Sequence, residues 1–133
     1  QMKYFTLEEL CVTKTGITNI PSWQAVENLK ALVNNVLDPI RDSWGKPIIV
    51  TSGFRCKAVN DKVGGVATSQ HTKGQAADLD IGTPEQNKEL FDFICKSGIT
   101  FDQLLLENNG NWVHLSYNIN KNRRQILCIS DKK

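Results

Sequence analysis

Residues Ser69–Asp80 read SQHTKGQAADLD, and the rest of the chain is read outward from them. The stretch opens polar and ends in the apolar run AADLDI, residues 76–81, which reads as a strand. It carries His71, one of only two histidines in 133 residues, and Asp78 inside the run. A carboxylate on a mostly buried strand is costly unless it is paired or bound to a metal.

Upstream, KPIIVTSGFR reads as a short buried strand running into a glycine turn. The polar, glycine-rich CKAVNDKVGGVATSQHTKGQ between the two strands reads as a long loop, and long loops inside compact domains are usually functional or disordered. Val26, Leu29, Val33, Val36, Leu37 and Ile40 lie on one face of a helix from Ser22 to about Arg41, which Pro39 should kink or end. FTLEEL starts a helix with Thr6 and Glu9 as a capping box.

Downstream, Thr83, Pro84 and Gln86 start a helix that Gly98 stops, with Leu90, Phe91 and Ile94 on one face. FDQLLLE and WVHLSY flank NNGN, a hairpin signal. A four-residue turn places Glu107 opposite Trp112 and Leu105 opposite His114, so Glu107, Trp112, His114 and Ser116 share a face. RRQILCIS reads as a last strand. Helices first and strands later predict an α+β fold, one domain over residues 1–133.

Bulk properties narrow the function. The chain is 40% hydrophobic and 23% charged, with a net charge of +2 from scattered residues, so no nucleic-acid-binding stripe is expected. No apolar run approaches the roughly 20 residues of a membrane span, and no signal-peptide pattern is visible. Cys11, Cys56, Cys95 and Cys128 form no CxxC pair and read as free thiols rather than a disulfide scaffold.

Two histidines and an aspartate are a catalytic zinc set, leaving the fourth tetrahedral position for water. Zinc would lower the pKa of that water and polarise a carbonyl, chemistry that suits amide hydrolysis with a carboxylate as base. Plainer readings stand beside this one. A lone histidine is usually a surface or core residue, Asp78 could cap a turn or meet Arg55, and Trp112 could be plain core.

SQHTKGQAAD matches the Ser-x-His-x-x-Gly-x-Ala-x-Asp signature of the zinc D-Ala-D-Ala carboxypeptidase family and its peptidoglycan endopeptidase relatives. TSGFRCKAVNDKVGG and WVHLS resemble two further segments of that family, and FTLEEL, LDPIR and GKPI resemble its small phage-type branch. The resemblance implies an antiparallel sheet packed by helices, shared with the Hedgehog signalling domain. It implies zinc held by His71, Asp78 and His114, with Gly74 turning the chain between ligands. Arg55 would hold a substrate carboxylate, with a salt bridge to Asp80 or Asp61 as the alternative. Ser69 and Gln70 would bond substrate backbone or shape the loop.

Many relatives carry an acid three positions before the second histidine; here Asn111 stands there, and Glu107 is the expected base. The expected function is therefore a monomeric zinc peptidase cutting peptidoglycan stem peptides in the bacterial cell wall. The alternative is a non-catalytic, zinc-stabilised binding module of the same fold, and a third reading is an interaction domain with an inherited motif.

Overall fold

Thr6 and Thr83 start helices in the manner their neighbours predict. Thr6 Oγ1 accepts the Glu9 N–H at 3.1 Å while the Thr6 N–H donates to Glu9, opening α1 (Leu7–Leu10). Thr83 and Gln86 do the same for α5 (Pro84–Cys95). Each cap satisfies donors that the first turn leaves open, worth about 1 kcal/mol. The computed structural model describes residues 2–130.

Ser22 caps α2 (Trp23–Leu32) through the Ala25 N–H. Pro39 neither ends nor breaks the helical run. A π-helical turn, Val33–Leu37, leads without interruption into α3 (Asp38–Trp44), with Pro39 in the first turn of α3. The wider turn relieves the clash between a proline ring and the carbonyl four residues back. Gly45, at φ 75°, closes the helix.

The segment expected to be one long loop contains structure. It holds α4 (Lys57–Lys62), supported by the Lys57–Asp61 ion pair at 2.8 Å, and a 3₁₀ turn over Gln70–Lys73. Five strands occur in chain order: β1 (Val50–Ser52), β2 (Ala76–Leu79), β3 (Gln103–Glu107), β4 (Trp112–Ser116) and β5 (Gln125–Cys128). They form one sheet in the order β1-β2-β4-β3-β5. The first four pair antiparallel; β5 joins β3 in parallel, a departure from an all-antiparallel sheet. The fold class is α+β, as expected.

Strand alternation separates the two faces. Ala77, Leu79, Leu104, Leu106, Val113 and Leu115 enter a core shared with Leu29, Leu32, Val36, Leu90 and Ile94 from the helices. Truncating one such buried leucine to alanine would cost about 2–5 kcal/mol. The other face carries Asp78, Leu105, Glu107, Trp112 and His114, so the core fixes where the polar residues stand.

Candidate metal centre

The hairpin register is the expected one. Leu105 pairs with His114 and Glu107 with Trp112, while Asp78 on β2 pairs with His114 on β4. The turn holds Asn108, Asn109 and Gly110 at positive φ (48°, 61° and 95°), conformations that asparagine and glycine accept most readily. Asn87, fully buried on α5, locks the turn from behind: its amide donates to the carbonyls of Gly110 and Asn111 and to Asp80.

His71 reaches the same point from the 3₁₀ turn. The Ser69 hydroxyl caps that turn by accepting the His71 N–H, and Gly74 closes it at φ 74°. A side chain at residue 74 would also collide with the Ala25 carbonyl, so only glycine fits this crossing of α2. His71 Nδ1 lies 2.7 Å from the Gly53 carbonyl. A carbonyl only accepts, so Nδ1 carries the proton and Nε2 presents a lone pair to the site, the arrangement typical of a metal-ligating histidine.

His71 Nε2 stands 3.3 Å and His114 Nδ1 3.2 Å from the same Asp78 oxygen, Oδ1, and all three donor atoms lie within 4.8 Å of one another. All three side chains are buried. A tetrahedral zinc with bonds of about 2.0–2.1 Å sets adjacent donors roughly 3.3 Å apart. The two histidine–aspartate separations therefore fit a zinc ion, and two neutral imidazoles with one carboxylate are a fitting donor set. Burial pushes the Asp78 carboxyl up. Its bonds to His114 and His71 outweigh that and hold it well below the usual carboxylate range.

Arg55 is tied into this centre. Its Nη2 donates to Asp78 Oδ2 at 3.3 Å, its Nε to Ser52 and its Nη1 to Asn60. The anticipated salt bridges to Asp80 or Asp61 do not form: Asp80 binds Asn87 and the Gly82 N–H, and Asp61 pairs with Lys57. Arg55 thus holds the Asp78 oxygen that faces away from the histidines, with two guanidinium protons left unbonded among the described residues. Gly65 leaves room for this cluster, since a Cβ there would strike Asn60 and crowd Arg55.

Glu107 is half-buried, and its carboxylate makes no hydrogen bond or ion pair among the described residues. Burial raises its pKa; the Asp78 charge adds to the rise, and His114 and His71 oppose it. Those influences place Glu107 in the field of the three-residue cluster. Asn111 is exposed at the hairpin.

Two cavities flank the cluster. One of about 390 Å³ is lined by Arg55, Asp78, Asn111 and Trp112. The other, about 650 Å³, reaches His114 and includes Ser69 and Gln70. The Gln70 side-chain amide donates to Asp102 at 2.8 Å, and its buried Oε1 has no partner among the described residues. Asp102 is the centre of a network that the sequence did not reveal. It is 4% exposed, grips Arg123 through two bonds of 2.9 Å and accepts the Arg123 N–H. Arg123, partly offset by burial, holds the Asp102 carboxyl down to about 2. The only signal in the sequence was charge; nothing there linked residues 70, 102 and 123.

Comparison with known proteins bears directly on this arrangement. A profile of the Peptidase M15 family matches residues 3–116. The zinc D-Ala-D-Ala carboxypeptidase of Streptomyces albus G is 46% identical over 48 residues, which span 35% of this chain and 19% of that relative. The chain belongs to the Peptidase M15 family.

Proposed function

We propose that this M15 chain is a zinc-dependent peptidase that hydrolyses peptidoglycan stem peptides, of the D-Ala-D-Ala carboxypeptidase or L-Ala-D-Glu endopeptidase type. One observation carries the reading: His71, Asp78 and His114 bring three buried donor atoms together within 4.8 Å, at a cluster whose Asp78 and His114 each line a cavity. Family membership and the named Streptomyces relative support it.

In this reading His71 Nε2, Asp78 and His114 Nδ1 hold the ion. Zinc bound there supplies a Lewis acid for a scissile carbonyl and a more acidic water. Glu107 takes the proton of the attacking water and returns it to the leaving amine. Its partial burial favours a group that must both take and return a proton. The Gly53 carbonyl holds the His71 tautomer, and Arg55 orients Asp78. Ser69 and Gln70, on the wall of the larger cavity, contact the substrate backbone. No helix among the described residues is long and apolar enough to cross a membrane. The enzyme is proposed to act as a monomer.

Asn111 favours a second reading, a zinc-stabilised binding module that lacks a working base. Incubating the zinc-loaded protein with defined muropeptides, read by mass spectrometry, separates the two. Product masses identify the bond cut; intact muropeptides with stoichiometric zinc would leave the binding module.

A further inference from the structure

Asp102 is buried in the wall of the larger cavity, and the peptide-cutting chemistry does not use it. Its Oδ1 accepts the Arg123 backbone N–H at 3.0 Å and Arg123 Nε at 2.9 Å. Its Oδ2 accepts Arg123 Nη2 at 2.9 Å and Gln70 Nε2 at 2.8 Å. A carboxylate offers about four lone-pair positions, so this one is filled and its plane is fixed. Arg123 lies beyond residues 3–116, the region that matches the family profile.

The residues that Asp102 joins stand beside both histidines of the cluster. Gln70 directly precedes His71. The Asp102 N–H donates to the Ser116 carbonyl at 2.8 Å, two residues past His114 on β4, and the Gln103 N–H donates to Ser116 Oγ at 2.9 Å. Asp102 thus bridges the turn carrying His71 and the strand carrying His114. From the β1 side the same turn is held by His71 Nδ1 on the Gly53 carbonyl and by the Arg55 N–H on the His71 carbonyl, at 3.0 Å. A four-residue 3₁₀ turn has little stiffness of its own, so anchors from the β1 and β3 sides set where His71 stands. The two rings lie 5.2 Å apart between centroids, at 67°. The carboxylate also selects the Gln70 amide orientation: the flipped amide would set oxygen against oxygen. The charge-assisted bond keeps Nε2 on Asp102 although Oε1 is left buried without a partner among the described residues.

We propose that Asp102 is a positioning residue for the metal centre: gripped by Arg123, it holds Gln70 and Ser116 and thereby sets the spacing of His71 and His114. This rests on the zinc-centre reading above and adds the residues that fix its geometry. Asp102 makes no hydrogen bond to His71, Asp78 or His114 among the described residues, so it acts through the segments it ties together. An asparagine in its place would carry one amide group that faces an Arg123 donor whichever way it lies, so the bridge needs the carboxylate.

The test pairs the visible absorption of the cobalt-substituted protein, which reports ligand geometry, with zinc affinity measured by competition against a chromogenic chelator. Asp102→Asn and Gln70→Leu should each shift the cobalt bands and weaken zinc binding about tenfold. Gln70→Leu/Asp102→Asn should weaken it no further than the worse single variant, since both break one link. Arg123→Lys keeps the charge but loses the forked donors, and should fall between the parent and Asp102→Asn. Ile94→Val, a truncation in the core away from the bridge, should lower thermal stability and leave both readouts at parent values. Unchanged cobalt bands and zinc affinity in Asp102→Asn, with only thermal stability lost, overturn the positioning role, as do strictly additive losses in the double variant. Stoichiometric zinc with intact muropeptides would count against the peptidase reading alone, and the cobalt bands would still decide the positioning role. A parent protein that binds no metal would remove both.

Discussion

Glu107→Gln should make the protein slower and slightly more stable at once. The glutamate carboxylate is half-buried without a partner, and burial together with the Asp78 charge raises its pKa. Glutamine has nearly the same shape and no charge, so the substitution removes desolvation and repulsion and breaks no bond among the described residues. Solvent still reaches the group, and screening limits the gain to roughly 0.5 kcal/mol or less. Catalysis moves the other way. Glutamine cannot take a proton, and general acid–base help of this kind is worth about 10²–10⁴-fold, or roughly 3–5 kcal/mol of barrier. The assay pairs kcat on a cleaved stem peptide with thermal unfolding and zinc content of the same preparation. In the parent enzyme, activity should fall as pH drops through the Glu107 pKa, giving an acid limb that Glu107→Gln removes. Activity within a few-fold of the parent would remove Glu107 as the base. A loss of stability beyond about 1 kcal/mol would show that the carboxylate has a structural bond instead.

His71→Ala and His114→Ala should each abolish stoichiometric zinc binding, read by metal analysis; retention of a full equivalent in either would refute the ligand set. Arg55→Ala should lower kcat more than it raises KM and reduce stability by about 1–3 kcal/mol, because Asp78 Oδ2 loses its one hydrogen-bond partner among the described residues. A rise in KM alone would place Arg55 on a substrate carboxylate. Acid should weaken the fold through Asp102. Its folded pKa is lowered to about 2, so its stabilisation is complete above the unfolded value near 4 and is lost as pH falls towards 2. That loss amounts to about 1–2 kcal/mol after allowing for the half-exposed Arg123, and Asp102→Asn should flatten this limb of the stability–pH curve.

Much of the fold was legible because its determinants are local. Both threonine caps depend on residues three positions away, and the Glu107–Trp112 register depends on the asparagine–glycine turn. The spacing of His71 and Asp78 was legible for the same reason: two residues seven apart with a glycine between them carry a family signature. Pro39 was not legible, since its penalty depends on the turn before it, and only the folded helix shows that turn to be π. What the tertiary structure alone decided are pairings between distant segments. Gly53 fixes the tautomer of His71, Arg55 takes the outer oxygen of Asp78, and Asp102 joins Gln70 to Arg123. Partners 18 to 32 residues apart leave no periodicity or motif behind. Their meeting is set by the order in which β1, β2, β4 and β3 lie side by side, and that order comes from burying one apolar face of the sheet against the helices.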